Sequence, residues 1–326
     1  MALPKVLITR RIPDSGLEIL ENKVDMDIYE EDRPISKEEL LERIKRKDGL
    51  YCLLSDRIDR EVIEAAGSTL KIISNYAVGY NNIDVAFATE RGVMVTNTPG
   101  ALREATADLA WALMMAAARK IPESDRFVRE GKFVGWGPKL MLGYEVYGKT
   151  LGIVGLGDIG TAVARRAKGF NMRILYHSRS RKTGLEEELG AVKVDLDDLL
   201  RESDFISLHV PLTDETRHLI GEREIDLMKD TAIIVNLARG EVIDEKALVT
   251  ALREKRIAAA GLDVYENEPK LAPGLVELDN VILTPHTGSA TFQSRDTMAV
   301  MAARDLLLCL SGKLPINLVN PGVLEG

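Results

Sequence analysis

Thr150-Leu151-Gly152-Ile153-Val154-Gly155-Leu156-Gly157-Asp158-Ile159-Gly160 leads directly into Thr161-Ala162-Val163-Ala164-Arg165-Arg166. A short apolar run breaks into three spaced glycines and then into helix-forming residues, which reads as strand, tight turn and helix. The Gly-x-Gly-x-x-Gly spacing meets one physical demand. A pyrophosphate must lie against bare backbone at a helix N-terminus, where unpaired N–H groups and the helix dipole favour negative charge. Gly155 makes the turn, Gly157 lets the phosphates approach, and Gly160 lets helix and strand pack closely. A glycine cluster alone is a weak signal, and the strand before it and helix after it make this one specific for a dinucleotide.

Downstream of this motif, apolar runs at Arg173 to His177, Asp204 to His209, Thr231 to Asn236, Ile257 to Val264 and Val281 to Thr284 complete a doubly wound parallel unit. Upstream, Lys5 to Thr9, Val24 to Tyr29, Gly49 to Leu54, Lys71 to Asn75 and Val93 to Val95 read as strands. Amphipathic stretches at Ser15 to Asn22, Ser36 to Lys45, Arg60 to Ala66 and Ile83 to Arg91 fall between them. This alternation argues for a second parallel sheet with helices on both faces. It carries no glycine fingerprint, so it is not expected to be the cofactor domain.

Between the two units, Arg103 to Ala118 reads as a helix that is apolar all round, expected to be buried on every side, in a core or a subunit interface. Gly131 to Gly148, with Phe133, Trp136, Tyr144 and Tyr147, has no periodicity and reads as a long ordered arm. The last long helix, Ala290 to Ser311, stops at Gly312 and is expected to pack back on the first unit.

The 326 residues suffice for two domains, and 45% hydrophobic with 29% charged residues is ordinary for a globular protein. A formal net charge of -8 leaves no global basic field for nucleic acid or an anionic membrane. Cys52 and Cys309 sit inside apolar runs and read as buried thiols, not as a disulfide or a metal cage. His177, His209 and His218 lie on separate elements without ligand spacing, so no metal site is expected. The N-terminus enters a strand without a leader pattern, and Leu109 to Ala118 is too short to span a bilayer. The expectation is a soluble, cytoplasmic protein.

In open α/β sheets ligands bind beyond the carboxyl ends of the strands. Three strand ends carry reactive groups: Arg239 after Ile233 to Asn236, Glu266 or Glu268 after Ala260 to Val264, and His286 after Ile282 to Thr284. A guanidinium can hold carboxylate and carbonyl oxygens, and a histidine oriented by a carboxylate can pass a proton. That set suits hydride and proton exchange at a 2-oxo or 2-hydroxy acid. Each residue alone has an ordinary structural explanation. Their joint placement beside a dinucleotide motif gives them chemical meaning.

The chain resembles the D-isomer-specific 2-hydroxyacid dehydrogenases. The matching blocks are Asn75 to Asp84, Asn97 to Gly100, the glycine fingerprint, His209 to Thr213, Val235 to Gly240, Leu262 to Pro269 and Pro285 to Gly288. The resemblance implies a Rossmann cofactor domain and a flavodoxin-like substrate domain, two doubly wound parallel-sheet domains in all. The substrate domain would be discontinuous, 1–101 plus 288–326, and the cofactor domain 102–287 would include a dimerisation helix and arm at 102–149. It also implies Arg239, Glu268 and His286 as the catalytic trio, choosing Glu268 over Glu266. Val78 and Gly79 would offer backbone N–H groups to the substrate carboxylate, and Asp263 would face the nicotinamide amide. Leu156, Asp158, Ile159, Val210, Pro211, Leu237, Ala238 and Gly288, with the three glycines, fall to the cofactor by the same implication. The run Gly135-Trp136-Gly137-Pro138 is most similar to glyoxylate/hydroxypyruvate reductases, which also resemble 2-ketogluconate reductases. There the arm helps form a homodimer, and Trp136 either reaches the partner's active site as a substrate-binding residue or only anchors the interface.

A site for NAD normally has Asp or Glu at the end of the second strand, to accept hydrogen bonds from the ribose hydroxyls. Here Tyr176-His177-Ser178-Arg179-Ser180-Arg181-Lys182 has no carboxylate and three cations. Ser178, Arg179 and Ser180 would donate to a 2′-phosphate, so NADP(H) is expected ahead of NAD(H). The competing readings are a phosphoglycerate or D-lactate dehydrogenase, and a dinucleotide-sensing corepressor-like interaction protein.

Overall fold

Short apolar runs at the start of the chain form parallel strands β1 (Lys5–Ile8), β2 (Asp25–Ile28), β3 (Gly49–Leu53), β4 (Ile72–Tyr76) and β5 (Met94–Thr96). Helices α1 (Asp14–Leu20), α2 (Lys37–Arg43), α3 (Arg60–Ala66) and α4 (Val85–Glu90) connect them. Three of these helices start where a side-chain oxygen takes an orphan amide: Ser36 from Glu39, Asp59 from Val62 and Asp84 from Phe87. The computed structural model describes residues 2–325, and this sheet has the order β2-β1-β3-β4-β5.

The chain continues through α5 (Arg103–Arg119), α6 (Ile121–Arg129), β6 (Thr150–Val154), α7 (Asp158–Ala167), β7 (Arg173–His177), α8 (Thr183–Leu189) and β8 (Val192–Lys193). It goes on with α9 (Leu196–Glu202), β9 (Phe205–Leu208), α10 (Glu222–Asp226), β10 (Ile233–Asn236), α11 (Glu245–Arg253), β11 (Ala259–Leu262) and β12 (Val281–Leu283). These strands form a parallel sheet ordered β12-β11-β10-β9-β6-β7-β8. From β6 the chain builds outward to β8, then returns to build β9 to β12 on the other side. The carboxyl ends of β6 and β9 therefore flank the switch point where such sheets open a ligand crevice.

The last helix, α12 (Phe292–Leu310), returns to the first sheet. Buried Ser74 and Tyr51 donate hydroxyls to its carbonyls at Ala302 (2.9 Å) and Ala299 (3.4 Å). At Gly16 a side chain would come within 2.8 Å of the Ala299 Cβ, so α1 and α12 pack almost backbone to backbone. The chain thus divides into two units, Met1–Leu102 with Ser289–Gly326, and Arg103–Gly288.

One feature differs from the sequence reading. β8 was not expected, because its residues Val192 and Lys193 are both exposed at a sheet edge and leave no apolar run to detect. Helix α5 is not buried on every side within one chain. Its inner face packs against the sheet and α7, with Leu113 over Gly261, Trp111 stacked on Phe170 at 4.5 Å, and the Trp111 indole N–H on the Val163 carbonyl at 3.1 Å. Its outer stripe, Asp108, Ala112 and Arg119 with half-buried Leu109, Met115 and Ala116, stays uncovered. The helix is apolar beyond what its own unit can bury.

Cys52 and Cys309 are free and buried, as expected, and burial pushes the Cys309 thiol up to about 11. No helix among the described residues is long and apolar enough to cross a membrane.

Candidate active site

The fingerprint glycines each have a separate steric reason. Gly155 holds φ at +96°, in the region that favours glycine, and a side chain there would strike the His209 carbonyl carbon at 2.7 Å and the Val210 nitrogen at 2.8 Å. Gly160 lies inside α7, where a Cβ would sit 2.2 Å from the Gly155 oxygen. Gly157, the N-cap of α7, is the opposite case. A Cβ there would meet nothing within 4 Å, and no side chain caps the helix. The α7 N-terminus is thus left without a side chain at its cap, which fits a pyrophosphate. Leu156 keeps its side chain in the core, so only its backbone borders that N-terminus, while Asp158 is exposed and Ile159 half-exposed.

Beneath the turn, the His209 ring accepts or donates at Nε2 to Ser207 Oγ (2.7 Å), and burial pushes its pKa down to about 3. The His209 carbonyl and the Val210 amide, not the ring, lie against Gly155.

At the end of β7, Ser178 is half-exposed and Arg179 and Ser180 are exposed. Buried Tyr176 organises this loop. Its hydroxyl takes the Lys182 amide at 2.9 Å and donates to Glu186 at 2.7 Å, and Glu186 in turn pairs with Arg181 at 2.8 Å. Glu215 lies in the same region. Its carboxyl is lowered first by the Thr213 hydroxyl, and the charge of Arg179 adds to the shift.

Arg239, Glu268 and His286 follow β10, β11 and β12, which are neighbours in the sheet. Asn236, 1% exposed at the end of β10, braces the first turn. Its side chain accepts from the Ala238 amide (3.0 Å) and donates to the Arg239 carbonyl (2.8 Å). Leu237 and Ala238 are thereby buried, and Arg239 donates from Nη1 to the Ala238 carbonyl at 2.7 Å. Burial lowers the pKa of Arg239, and the charges of Glu268 and Glu241 oppose that shift. A guanidinium with so high an ordinary pKa stays charged.

The histidine is set by Asp263, which is 1% exposed. The Asp263 carboxylate accepts from the Thr284 hydroxyl (2.6 Å), the Thr287 amide (2.7 Å), the Thr287 hydroxyl (3.2 Å) and the Gly288 amide (2.8 Å). Its carbonyl takes the His286 amide at 2.9 Å. Expected at the nicotinamide, Asp263 is seen here tying down residues 284–288. His286 is held with φ at 54°, a left-handed conformation costly for a non-glycine residue.

His286 Nδ1 lies 2.9 Å from Glu268 Oε2, and Glu268 Oε1 accepts the Tyr265 amide at 3.1 Å. Glu266 is instead paired with His218 Nε2. Of the two carboxylates left open by spacing alone, Glu268 reaches His286 and Glu266 meets His218. Burial pushes the Glu268 carboxyl up, but the hydrogen bond and charge of His286, the Tyr265 amide and Arg239 outweigh it and leave it below the usual range. An ionised carboxylate only accepts, so His286 Nδ1 carries the proton toward Glu268 and Nε2 is the atom available for transfer.

The sequence reading missed Asn236, Gly240 and Glu245. At Gly240 a Cβ would fall 1.8 Å from the Tyr265 carbonyl carbon, so the Arg239 turn and the Glu268 loop touch backbone to backbone. A polar Asn closing an apolar strand and a Gly following Arg were the signals available. Nothing local marked Glu245.

In the first unit, Asn97 and Asn75 side chains hold the carbonyls of Val78 (2.7 Å) and Gly79 (2.8 Å), fixing the loop that follows β4. On the arm, Trp136 is 85% exposed and Val134 98%. Among the described residues, no group of three or more His, Cys, Asp or Glu is arranged to hold a metal.

Residues 111–288 match the family model of the D-isomer specific 2-hydroxyacid dehydrogenase, NAD binding domain. The chain is 55% identical to the glyoxylate reductase of Pyrococcus furiosus, over 99% of this chain and 97% of that protein. The crystal structure of a glyoxylate reductase from Paecilomyes thermophila is similar, with a TM-score of 0.86, 38% identity and coverage of 98% of this chain and 99% of that one. So is that of an NADPH-dependent glyoxylate/hydroxypyruvate reductase from Sinorhizobium meliloti in complex with NADP and malonate. Its TM-score is 0.86 at 30% identity, covering 99% of this chain and 98% of that one.

Proposed function

The chain belongs to the D-isomer-specific 2-hydroxyacid dehydrogenases, NAD(P)-dependent oxidoreductases, and from that premise we propose that it reduces glyoxylate, and secondarily hydroxypyruvate or 2-ketogluconate, with NADPH. The observation that carries this reading is the His286–Glu268 couple beside Arg239, on strand ends neighbouring the fingerprint. The α7 N-terminus would hold the pyrophosphate of the dinucleotide, whose reduced nicotinamide would supply the hydride for C2. Arg239 holds the carboxylate end of the substrate and polarises the carbonyl by a charged donor pair. His286 delivers its Nε2 proton to the carbonyl oxygen as charge develops there, and Glu268 keeps the ring oriented and stabilises its charge. Val78 and Gly79 would receive the substrate carboxylate on backbone N–H groups, and Gly288 and Asp263 would border the nicotinamide. The names of the relatives support glyoxylate as first choice.

NADPH ahead of NADH is supported by the absence of a carboxylate in Ser178 to Lys182 and by the exposure of Arg179. The expected result is a kcat/KM for NADPH at least about tenfold above that for NADH, one lost phosphate-guanidinium interaction being worth that much. Arg179→Ala should remove most of that preference. Steady-state kinetics with glyoxylate and both cofactors measure it, and a wild type that favours NADH sinks the assignment. No oxidation of NADPH with any of the three acids would favour the interaction-protein reading.

A cytoplasmic homodimer completes the proposal. The uncovered stripe of α5 lies in the same unit as an arm that exposes Phe133, Val134, Trp136, Leu142 and Tyr147, more apolar surface than a lone chain usually presents to water. Whether Trp136 touches the partner's substrate or only anchors the contact follows from its replacement. Light scattering should give a dimer mass for the wild type, and Trp136→Ser should weaken it. A monomeric wild type rejects this part.

A further inference from the structure

Glu245 opens α11 and is 3% exposed, a buried carboxylate outside the trio. Its Oε1 accepts the Glu266 amide at 2.9 Å, and it also takes the Ala272 amide. Those two amides stand on either side of Glu268. The preceding amide, that of Tyr265, goes to Glu268 itself at 3.1 Å. Successive amides at 265 and 266 thus point to different carboxylates, Glu268 and Glu245. The same segment lies flat on Gly240, with no room between the backbones for a side chain. Clamped by Glu245 and Gly240, the segment has little freedom to move, and Glu268 inherits that rigidity. The Glu266 side chain pairs with His218.

We propose that Glu245 is a positioning residue for proton transfer, stapling the 265–272 loop at both ends so that Glu268 meets His286. Burial raises its carboxyl above the usual range, as do the charges of Glu266 and Glu268, while the Glu266 and Ala272 amides pull the other way. The chain retains this carboxylate because only an acceptor satisfies both the Glu266 and the Ala272 amide.

This inference rests on the His286–Glu268 reading, so the test includes Glu268→Gln. In the full chain with NADPH and glyoxylate, Glu245→Ala is expected to lower kcat by about 10 to 100-fold, the scale set by a small misplacement of a catalytic group. The KM for NADPH, and NADPH affinity measured by fluorescence titration, should stay within about twofold, because the glycine loop is untouched. Glu245→Gln keeps one accepting oxygen where the carboxylate has two. It should recover most of the activity, within about fivefold of wild type on the same reasoning. A Glu245→Ala enzyme with wild-type kcat overturns the inference, and so does one that loses NADPH affinity in parallel, which would mark general unfolding. A Glu268→Gln enzyme with wild-type kcat instead removes the reading beneath it.

Discussion

Replacing His286 with alanine is expected to lower kcat by about 10² to 10⁴-fold, the range contributed by a positioned general acid. The ring is held from three directions: Glu268 at Nδ1, the Asp263 carbonyl at its amide, and the Asp263 side chain through Thr287 and Gly288. His286 lies outside the glycine loop, and its removal leaves the Asp263 side-chain bonds to Thr287 and Gly288 in place, so NADPH affinity should change little. Removing the imidazole also leaves Glu268 without its strongest stabiliser, so its carboxyl should titrate higher in the variant. Single-turnover oxidation of NADPH with glyoxylate, alongside fluorescence titration of the cofactor, separates the two effects. A variant within about threefold of wild-type kcat would contradict the role, since even the low end of general-acid catalysis exceeds that.

Gly240→Ala should be nearly as damaging, for a different reason. The new methyl would lie 1.8 Å from the Tyr265 carbonyl carbon, 2.1 Å from its oxygen and 2.2 Å from the Glu266 nitrogen. All three are backbone atoms, and Glu245 holds that backbone from beyond. No side chain can rotate to make room. Either the Arg239 turn or the Glu268 loop must move, and either movement separates Arg239 from the His286–Glu268 couple. Overpacking of this kind costs about 1 to 3 kcal/mol or more, and a displacement of about 1 Å at the site costs about 10²-fold in rate. Denaturant unfolding and kcat should therefore both fall. A variant with wild-type stability and turnover would show that the two loops are not in backbone contact.

Much of the site was legible because its signals are local. The fingerprint is a run of eleven residues, Thr150 to Gly160, whose strand, turn and helix appear where the pattern puts them. Arg239 and His286 stand just past apolar runs, and strand ends are where ligands meet such sheets. Spacing could not choose between Glu266 and Glu268. The family resemblance chose Glu268, and in the structure Glu266 pairs instead with His218, 48 residues away in sequence. Asp263 shows the same limit from another side. Its position marked it as a site residue, but its four hydrogen bonds to residues 284–288 cannot be read from a strand pattern.

The sequence by itself determined two parallel sheets, the dinucleotide loop, and the strand ends that carry the reactive groups. Hydrophobic period and glycine spacing are written within a few residues of each feature they specify. Only the tertiary structure decided why Gly240 admits no side chain and why α11 buries Glu245. It also left one stripe of α5 bare. Those outcomes depend on distances between segments far apart in the chain, and hydrogen-bond pairing and steric exclusion have no sequence period.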